Sequence, residues 1–331
     1  MLRHYFWKMS EPIVHMVAIA KNEELYIENW CRWYLRLGYD LITIYDNNTD
    51  KTTLPETIKN SKLLTTDDKR RINIIPWDST QNLAYEHYWK HYDFDWLSIN
   101  DIDEFLYLSP NETIKDYVKK YPENLVITIT LKDFGDSDII APSDEELKIP
   151  VNERLTKSAK KHYEFLIKSI FNKRLIVSRG IRFMTTCGHF LRVGKEKVKQ
   201  RVNDAFIKHF RTYTIKEYCL QKLHVRKQCY EGGDMRRCLP SLYFFKINSK
   251  TPEKLKYIEN YRKSIGMIYT LYVCSNETYD KNKWLHNRFC YVIGNPYGMI
   301  KRLKKDFRFE GILSLKEIID DFDNVVFLGK F

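Results

Sequence analysis

The sequence predicts an α/β fold, a mostly parallel sheet with helices on both faces. Short apolar runs alternate with amphipathic stretches from Ile13 onward, which is the pattern of strand–helix–strand units. Two of these runs end in acids, Asp46 after "LITIY" and Asp101, Asp103 and Glu104 after "DWLSI". Ligands of open α/β sheets sit beyond the carboxyl ends of the strands. A chain of 331 residues with 44% hydrophobic and 15% aromatic content can also bury a sizeable core.

The first strand is "IVHMVAIA" from Ile13, followed by a helix in "KNEELYIENWCRWYLRLG". Asn22 is placed to cap it, Glu23 and Glu24 fall in the first turn, Ile27, Trp30, Tyr34 and Leu37 recur at helical spacing, and Gly38 can end it. "LITIY" is the second strand and "INIIPW" the third. "QNLAYEHYWKHY" is a helix with Gln81, Tyr85, Tyr88 and Tyr92 on one side, "DWLSI" the fourth strand, and "ENLVITITL" a further strand leading into "KDFGDSD". Residues 139–165 look loop-like and charged. In the second half, "KSIFNKRLIVSRG", "CGHFLRV" and "AFIKHF" look like short strands, and "TIKEYCLQKLHVRKQCYEGG" like a helix ended by a glycine pair. Trp30, Trp33 and Trp89 are expected in the core.

Fifty-five Lys and Arg against 43 Asp and Glu give a net charge of +12, which favours anionic partners: nucleic acid, a phospholipid surface or a phosphorylated small molecule. The seven cysteines, Cys31, Cys187, Cys219, Cys229, Cys238, Cys274 and Cys290, form no CxxC pair, so a reducing, cytoplasmic setting is expected. "MLRHYFWKMSEP" has no signal-peptide core, and no run of about 18 apolar residues occurs. A soluble or peripherally membrane-bound chain follows. The basic stretch "NPYGMIKRLKKDFRFEG" reads either as a solvated helix packed on the body or as a membrane-surface helix.

In an extended segment, residues two apart point the same way, so Asp101 and Asp103 can present two carboxylates to one divalent cation. Oxygen ligands suit Mg²⁺ or Mn²⁺, and such ions keep open positions that phosphates fill. A solvated or N-capping turn would also explain an isolated Asp-x-Asp.

The run "AIAKNEELYIENWCRWYLRLGYDLITIYDNNTD", followed by "WLSINDIDEFLYL", resembles GT-A glycosyltransferases of the family-92 and family-2-like groups. Their hallmarks are a K-N-E helix start, an I-Y-D-N turn and a D-x-D-E-F. "LKDFGDSD", "KSIFNK" and "AFIKHFRTYTIKEYCLQK" resemble later segments of the same group. The resemblance implies a Rossmann-like nucleotide-diphospho-sugar transferase core over residues 12–230, with residues 231–331 as a helical, basic extension facing acceptor or membrane. It implies that Asp46 meets uracil or ribose and that Ala18, Lys21, Asn22 and Glu23 floor the same pocket. By the same resemblance Asp101 lies near ribose and metal, Asp103 ligates the metal, His209 supplies a later ligand, and Lys168 neutralises phosphate. His189 contacts acceptor or diphosphate, or else is a satisfied interior histidine.

Inversion at the anomeric carbon, also implied, requires a base among Asp133, Asp136 and Asp138, with Asp136 preferred. Asp138 stands where the family more often has glycine. Glu104 is either a supporting or acceptor-side group, or a cap of its turn. The expected enzyme is a metal-dependent inverting glycosyltransferase that moves a hexose, galactose above all, from a UDP-sugar to a polysaccharide or lipid-linked glycan. Its expected place is the cytoplasm, peripheral at the inner face of a membrane. A Mg²⁺-dependent nucleotidyltransferase is the alternative enzyme, but "AIAKNEE" is not the Gly-rich loop it needs. A nucleic-acid-binding module is the non-enzymatic alternative, and no nucleic-acid motif accompanies the interleaved bases and aromatics of "RFMTTCGHFLRVGKEKVKQR".

Overall fold

The computed structural model describes residues 11–157, 166–185, 188–193, 195–198, 200–223, 248, 251–267, 270–275, 289–293 and 324–328. The chain divides into two units, one of residues 1–134 and 147–211 and the other of residues 135–146 and 212–331. The boundary expected near residue 230 and the basic stretch from Asn295 both lie outside the described residues.

The first unit is organised by one sheet of eight strands: β1 (Val14–Ala20), β2 (Leu41–Asp46), β3 (Ile72–Pro76), β4 (Trp96–Ile99), β5 (Glu104–Tyr107), β6 (Val126–Asp133), β7 (Ile167–Asn172) and β10 (Arg201–His209), in the order β3-β2-β1-β4-β7-β6-β10-β5. β1 pairs in parallel with β2 and β4, and β2 with β3. β7 runs antiparallel between β4 and β6, and β5 runs antiparallel to β10. The mostly parallel α/β sheet is the one the sequence predicts. A short ribbon, β8 (Leu191–Val193) with β9 (Glu196–Val198), completes the strands among the described residues of this unit.

Every side chain of β4 and nearly every one of β1 is buried, as expected of central strands covered on both faces. Helix α1 (Glu24–Arg36) buries Ile27, Trp30, Cys31, Tyr34 and Leu35 on one stripe. Gly38, at φ +93°, ends it as expected. Asn22 does not cap it. Glu23 occupies the cap position, while Asn22 sits in the left-handed region at φ +58° and its backbone N–H donates to Asn48 Oδ1 at 2.6 Å. Helix α2 (Thr53–Asn60) and helix α3 (Thr66–Arg70), absent from the sequence reading, follow β2, and α4 (Gln81–His91) buries Tyr85, Tyr88 and Trp89. Trp30 and Trp89 are core as expected, and Trp33 is half-buried.

"EFLY" forms a separate strand, β5. One segment of this unit differs from its predicted form. "KRLIVS", expected as strand, is the helix Lys173–Ser178, because the Asn172 side chain accepts the Leu175 N–H at 3.1 Å and caps it. Gly188, at φ +72°, lies against β4: a Cβ there would stand 2.6 Å from Ile99 Cγ2 and 3.0 Å from the Ile99 carbonyl.

The second unit contains a helix, Pro252–Ser264, capped by Thr251. A short turn of helix, Ile215–Glu217, is closed by a Thr214–Glu217 capping box and continues as π-helix to Leu223. Its three described strands, β11 (Thr270–Ser275), β12 (Phe289–Ile293) and β13 (Asn324–Leu328), form a parallel sheet in a region expected to be helical. No described helix is long and apolar enough to cross a membrane.

Candidate active site

The acids after β4 are held in place by α1. The Trp30 indole N–H reaches the carbonyls of Asp101 at 3.0 Å and Glu104 at 3.1 Å. The Tyr34 hydroxyl donates to the Glu104 carbonyl at 2.9 Å and receives N–H bonds from Asn100 and Leu106. Two aromatics one helical turn apart thus satisfy the backbone of the 100–104 turn, which buried polar groups require.

Strand register then brings distant residues into one row. His209 on β10 lies opposite Glu104 on β5 and opposite Asp133 on β6. Ligand atoms of Asp103, Glu104 and His209 all lie within 4.8 Å of one another, and all three residues are buried. His209 Nε2 stands 3.6 Å from Asp103 Oδ1, and its Nδ1 stands 3.0 Å from Asp133 Oδ1. Two carboxylates and an imidazole are a donor set that fits a divalent cation such as Mn²⁺.

Asp101, expected as a ligand beside Asp103, has its carboxylate turned to protein groups: Oδ1 accepts from Gln81 at 3.0 Å and Oδ2 from Lys168 at 2.9 Å. Lys168 is not a surface lysine. Its side chain is 1% exposed, and its Nζ also stands 3.2 Å from Glu104 Oε2. Glu104 caps its turn as one reading had it, accepting the Asp101 N–H at 2.9 Å, and also joins the cluster. Burial pushes its carboxyl up to about 7 against the pull of Lys168, and Asp101 adds to the rise. Burial alone would lower the Lys168 ammonium, but Asp101 and Glu104 hold it above its ordinary value.

A second group forms where β1 and β2 end. Asp46 is fully buried; its Oδ1 accepts the Asn48 N–H at 2.9 Å, while its Oδ2 has no hydrogen-bond partner. The Asn48 side chain ties the same corner to Asn22 and to Glu24. Ala18 is buried within β1 opposite Ile44, and Lys21 and Glu23 are half-buried just past the strand. His189 is half-buried, its Nδ1 2.5 Å from the Ile167 carbonyl, and burial together with Lys168 lowers its pKa.

Asp136 and Asp138 belong to the second unit. The Asp136 carboxylate lies 2.6 Å from Lys254 Nζ, and its N–H donates to Asn248 Oδ1. Ser137 and Asp138 take φ of +52° and +64°, so Asp138 adopts the left-handed conformation usual for the glycine it replaces. Sequence reasoning placed Trp30, Tyr34 and Gln81 on helix faces without seeing that they grip the acidic turn. Their periodicity was the only signal. Arg211, 3.7 Å from Asp133 Oδ1, had none.

A model of glycosyltransferase family 92 matches residues 19–262. The chain belongs to glycosyltransferase family 92. A family 92 protein of Oryza sativa subsp. japonica is 26% identical to it over 121 residues, 35% of this chain and 20% of the rice protein, so the match spans about a fifth of that relative's length. Among solved structures, a mannosyltransferase from Pyrobaculum calidifontis in complex with GDP-Man and Mn²⁺ is similar at 12% identity and TM-score 0.40, covering 94% of this chain and 78% of its own. S. aureus TarS is similar at 13% identity and TM-score 0.36, covering 76% of this chain and 72% of its own. Family 92 is a family of glycosyltransferases.

Proposed function

We propose that this family 92 chain is a metal-dependent, inverting glycosyltransferase that takes a hexose, galactose above all, from a UDP-sugar and delivers it to a polysaccharide or lipid-linked glycan. The observation that carries the reading is the buried Asp103, Glu104 and His209 cluster, built by register at the end of the sheet. Asp46 supports it. A buried carboxylate oxygen without a partner costs about 1–3 kcal/mol, and a uracil N–H or ribose hydroxyl would remove that cost.

Asp103, Glu104 and His209 would hold Mn²⁺ or Mg²⁺, which when bound supplies charge stabilisation to a departing diphosphate. Asp46, with the Lys21 to Glu23 segment beside it, would orient the nucleoside. Lys168 keeps Asp101 and Glu104 compensated, so the negative charge presented to a diphosphate is reduced. Asp136 is our assignment for the base that takes the acceptor proton. The net charge of +12 suits a nucleotide diphosphate and an anionic membrane carrying the acceptor.

The test is thermal stabilisation and donor hydrolysis with UDP-, GDP- and CMP-sugars, with and without Mn²⁺, on wild type and Asp103→Ala. A UDP-sugar at about 100 times its Kd should stabilise the wild type by about 2.7 kcal/mol. That stabilisation should need Mn²⁺ and vanish in the variant. Stabilisation by a GDP-sugar alone would move the donor class, and no response to any nucleotide sugar would overturn the proposal.

A further inference from the structure

We infer that the outward side of residues 173–201 is a docking surface for an anionic phospholipid bilayer. The inference deepens the proposed delivery to a lipid-linked acceptor, and rests on that reading for what the surface serves. This stretch holds nine Lys and Arg to one acid, Glu196, so it carries most of the net charge of +12. Lys173 and Arg174 are answered by Asp93 and Asp95. Arg179, Arg182, Arg192, Lys195 and Lys197 are exposed and pair with no acid among the described residues.

The inner side of the stretch is core. Ile176, Phe183 and Leu191 join Trp89, Leu97 and Phe171 in one buried cluster, with the Phe183 ring stacked on Trp89 at 3.9 Å between centroids. Thr185 bridges Leu191 in the antiparallel sense and the Arg192 N–H donates to the Met184 carbonyl at 2.8 Å, so Met184 stands opposite Arg192. Arg192 in turn stands opposite Lys197 in the β8–β9 register. Directly opposed residues project to the same face of a ladder. Met184, Arg192 and Lys197 therefore form one exposed row across three segments, and Arg182, two residues before Met184, is exposed as well.

Two apolar side chains stand in solvent among these cations: Val177, near the end of the helix Lys173–Ser178, is 58% exposed, and Met184 is 39% exposed. Cations with apolar side chains between them match an anionic headgroup layer over acyl chains. Single-stranded nucleic acid would be met by exposed rings on which bases stack. The two phenylalanines of this stretch, Phe183 and Phe190, are buried, and Arg192 and Lys197 lie over the Phe190 ring at 5.8 and 4.6 Å from its centroid.

The test is co-sedimentation of the full chain with vesicles of phosphatidylcholine, alone or mixed three to one with phosphatidylserine. The wild type should bind the mixed vesicles and not the neutral ones, and more weakly as salt rises. Each Lys or Arg at an anionic surface strengthens partitioning by about five-fold, so Arg182→Gln with Arg192→Gln and Lys197→Gln should weaken binding by about 100-fold. The same loss of charge elsewhere, Lys59→Gln with Lys62→Gln and Arg70→Gln, should weaken it by no more than about two-fold. Val177→Ser with Met184→Ser should weaken it by about ten-fold even at high salt, since apolar burial is not screened. No binding to mixed vesicles, or equal weakening by the two charge triples, overturns the inference. So does RNA bound more tightly than the mixed vesicles, with Val177→Ser and Met184→Ser affecting neither ligand. A chain that binds the mixed vesicles yet is stabilised by no nucleotide sugar would defeat the proposed function and leave the docking surface standing.

Discussion

Replacing Lys168 by Met tests the electrostatics beneath the acidic turn most directly. The ammonium is 1% exposed and lies 2.9 Å from Asp101 Oδ2 and 3.2 Å from Glu104 Oε2. At an effective dielectric constant of about 20, a unit pair 3.2 Å apart attracts by about 5 kcal/mol. Methionine keeps most of the volume but leaves Glu104 buried and uncompensated. Removing one partner of a buried pair costs about 3–5 kcal/mol, and Asp101, which retains solvent contact and Gln81, adds little.

The loss should depend on pH. The Glu104 carboxyl stands near 7 in the folded protein against an ordinary value of 4.5, so folding takes up a proton and stability falls as pH rises through that window. Without Lys168 the folded value rises further, and the deficit should grow from pH 6 to pH 8. Urea unfolding at both pH values reads this. Lys168→Met with Glu104→Gln should recover a large part of the loss, since the uncompensated charge is then gone. A Lys168→Met variant within about 1 kcal/mol of wild type at pH 8 would refute the buried pairing, since only solvent-screened pairs contribute so little.

His15, whose Nδ1 lies 2.9 Å from the Tyr88 hydroxyl, has its pKa lowered from 6.5 to about 4 by burial, against Asp40 and Asp95. The unfolded chain takes the proton first, so stability should fall by up to about 3 kcal/mol between pH 6.5 and 4, and His15→Gln should flatten that part of a denaturation–pH profile. Gly188→Ala should lose about 2–4 kcal/mol, from the positive φ and the contact with Ile99 together, read as a lower thermal midpoint. An unchanged midpoint would mean that this segment is not seated on β4.

The sequence by itself determined the alternation of strands and helices, the parallel core of β1 to β4, and the two strand ends that carry Asp46 and Asp103. Those features are local: apolar period, glycine stop and acids next to a buried run are all written within a few residues of one another. The family resemblance read from those motifs is the family to which the chain belongs. Tertiary structure alone decided the partners. Nothing within "WLSINDIDEFLYL" marks the reversal that sends β5 to the far edge of the sheet, because strand direction is settled by which neighbour it pairs with. His209 meets Glu104 and Asp133 through register across three strands, and a one-residue slip would turn it to the opposite face. Likewise, only the antiparallel insertion of β7 carries Lys168 inside, where it pairs with Asp101 and Glu104 instead of meeting solvent.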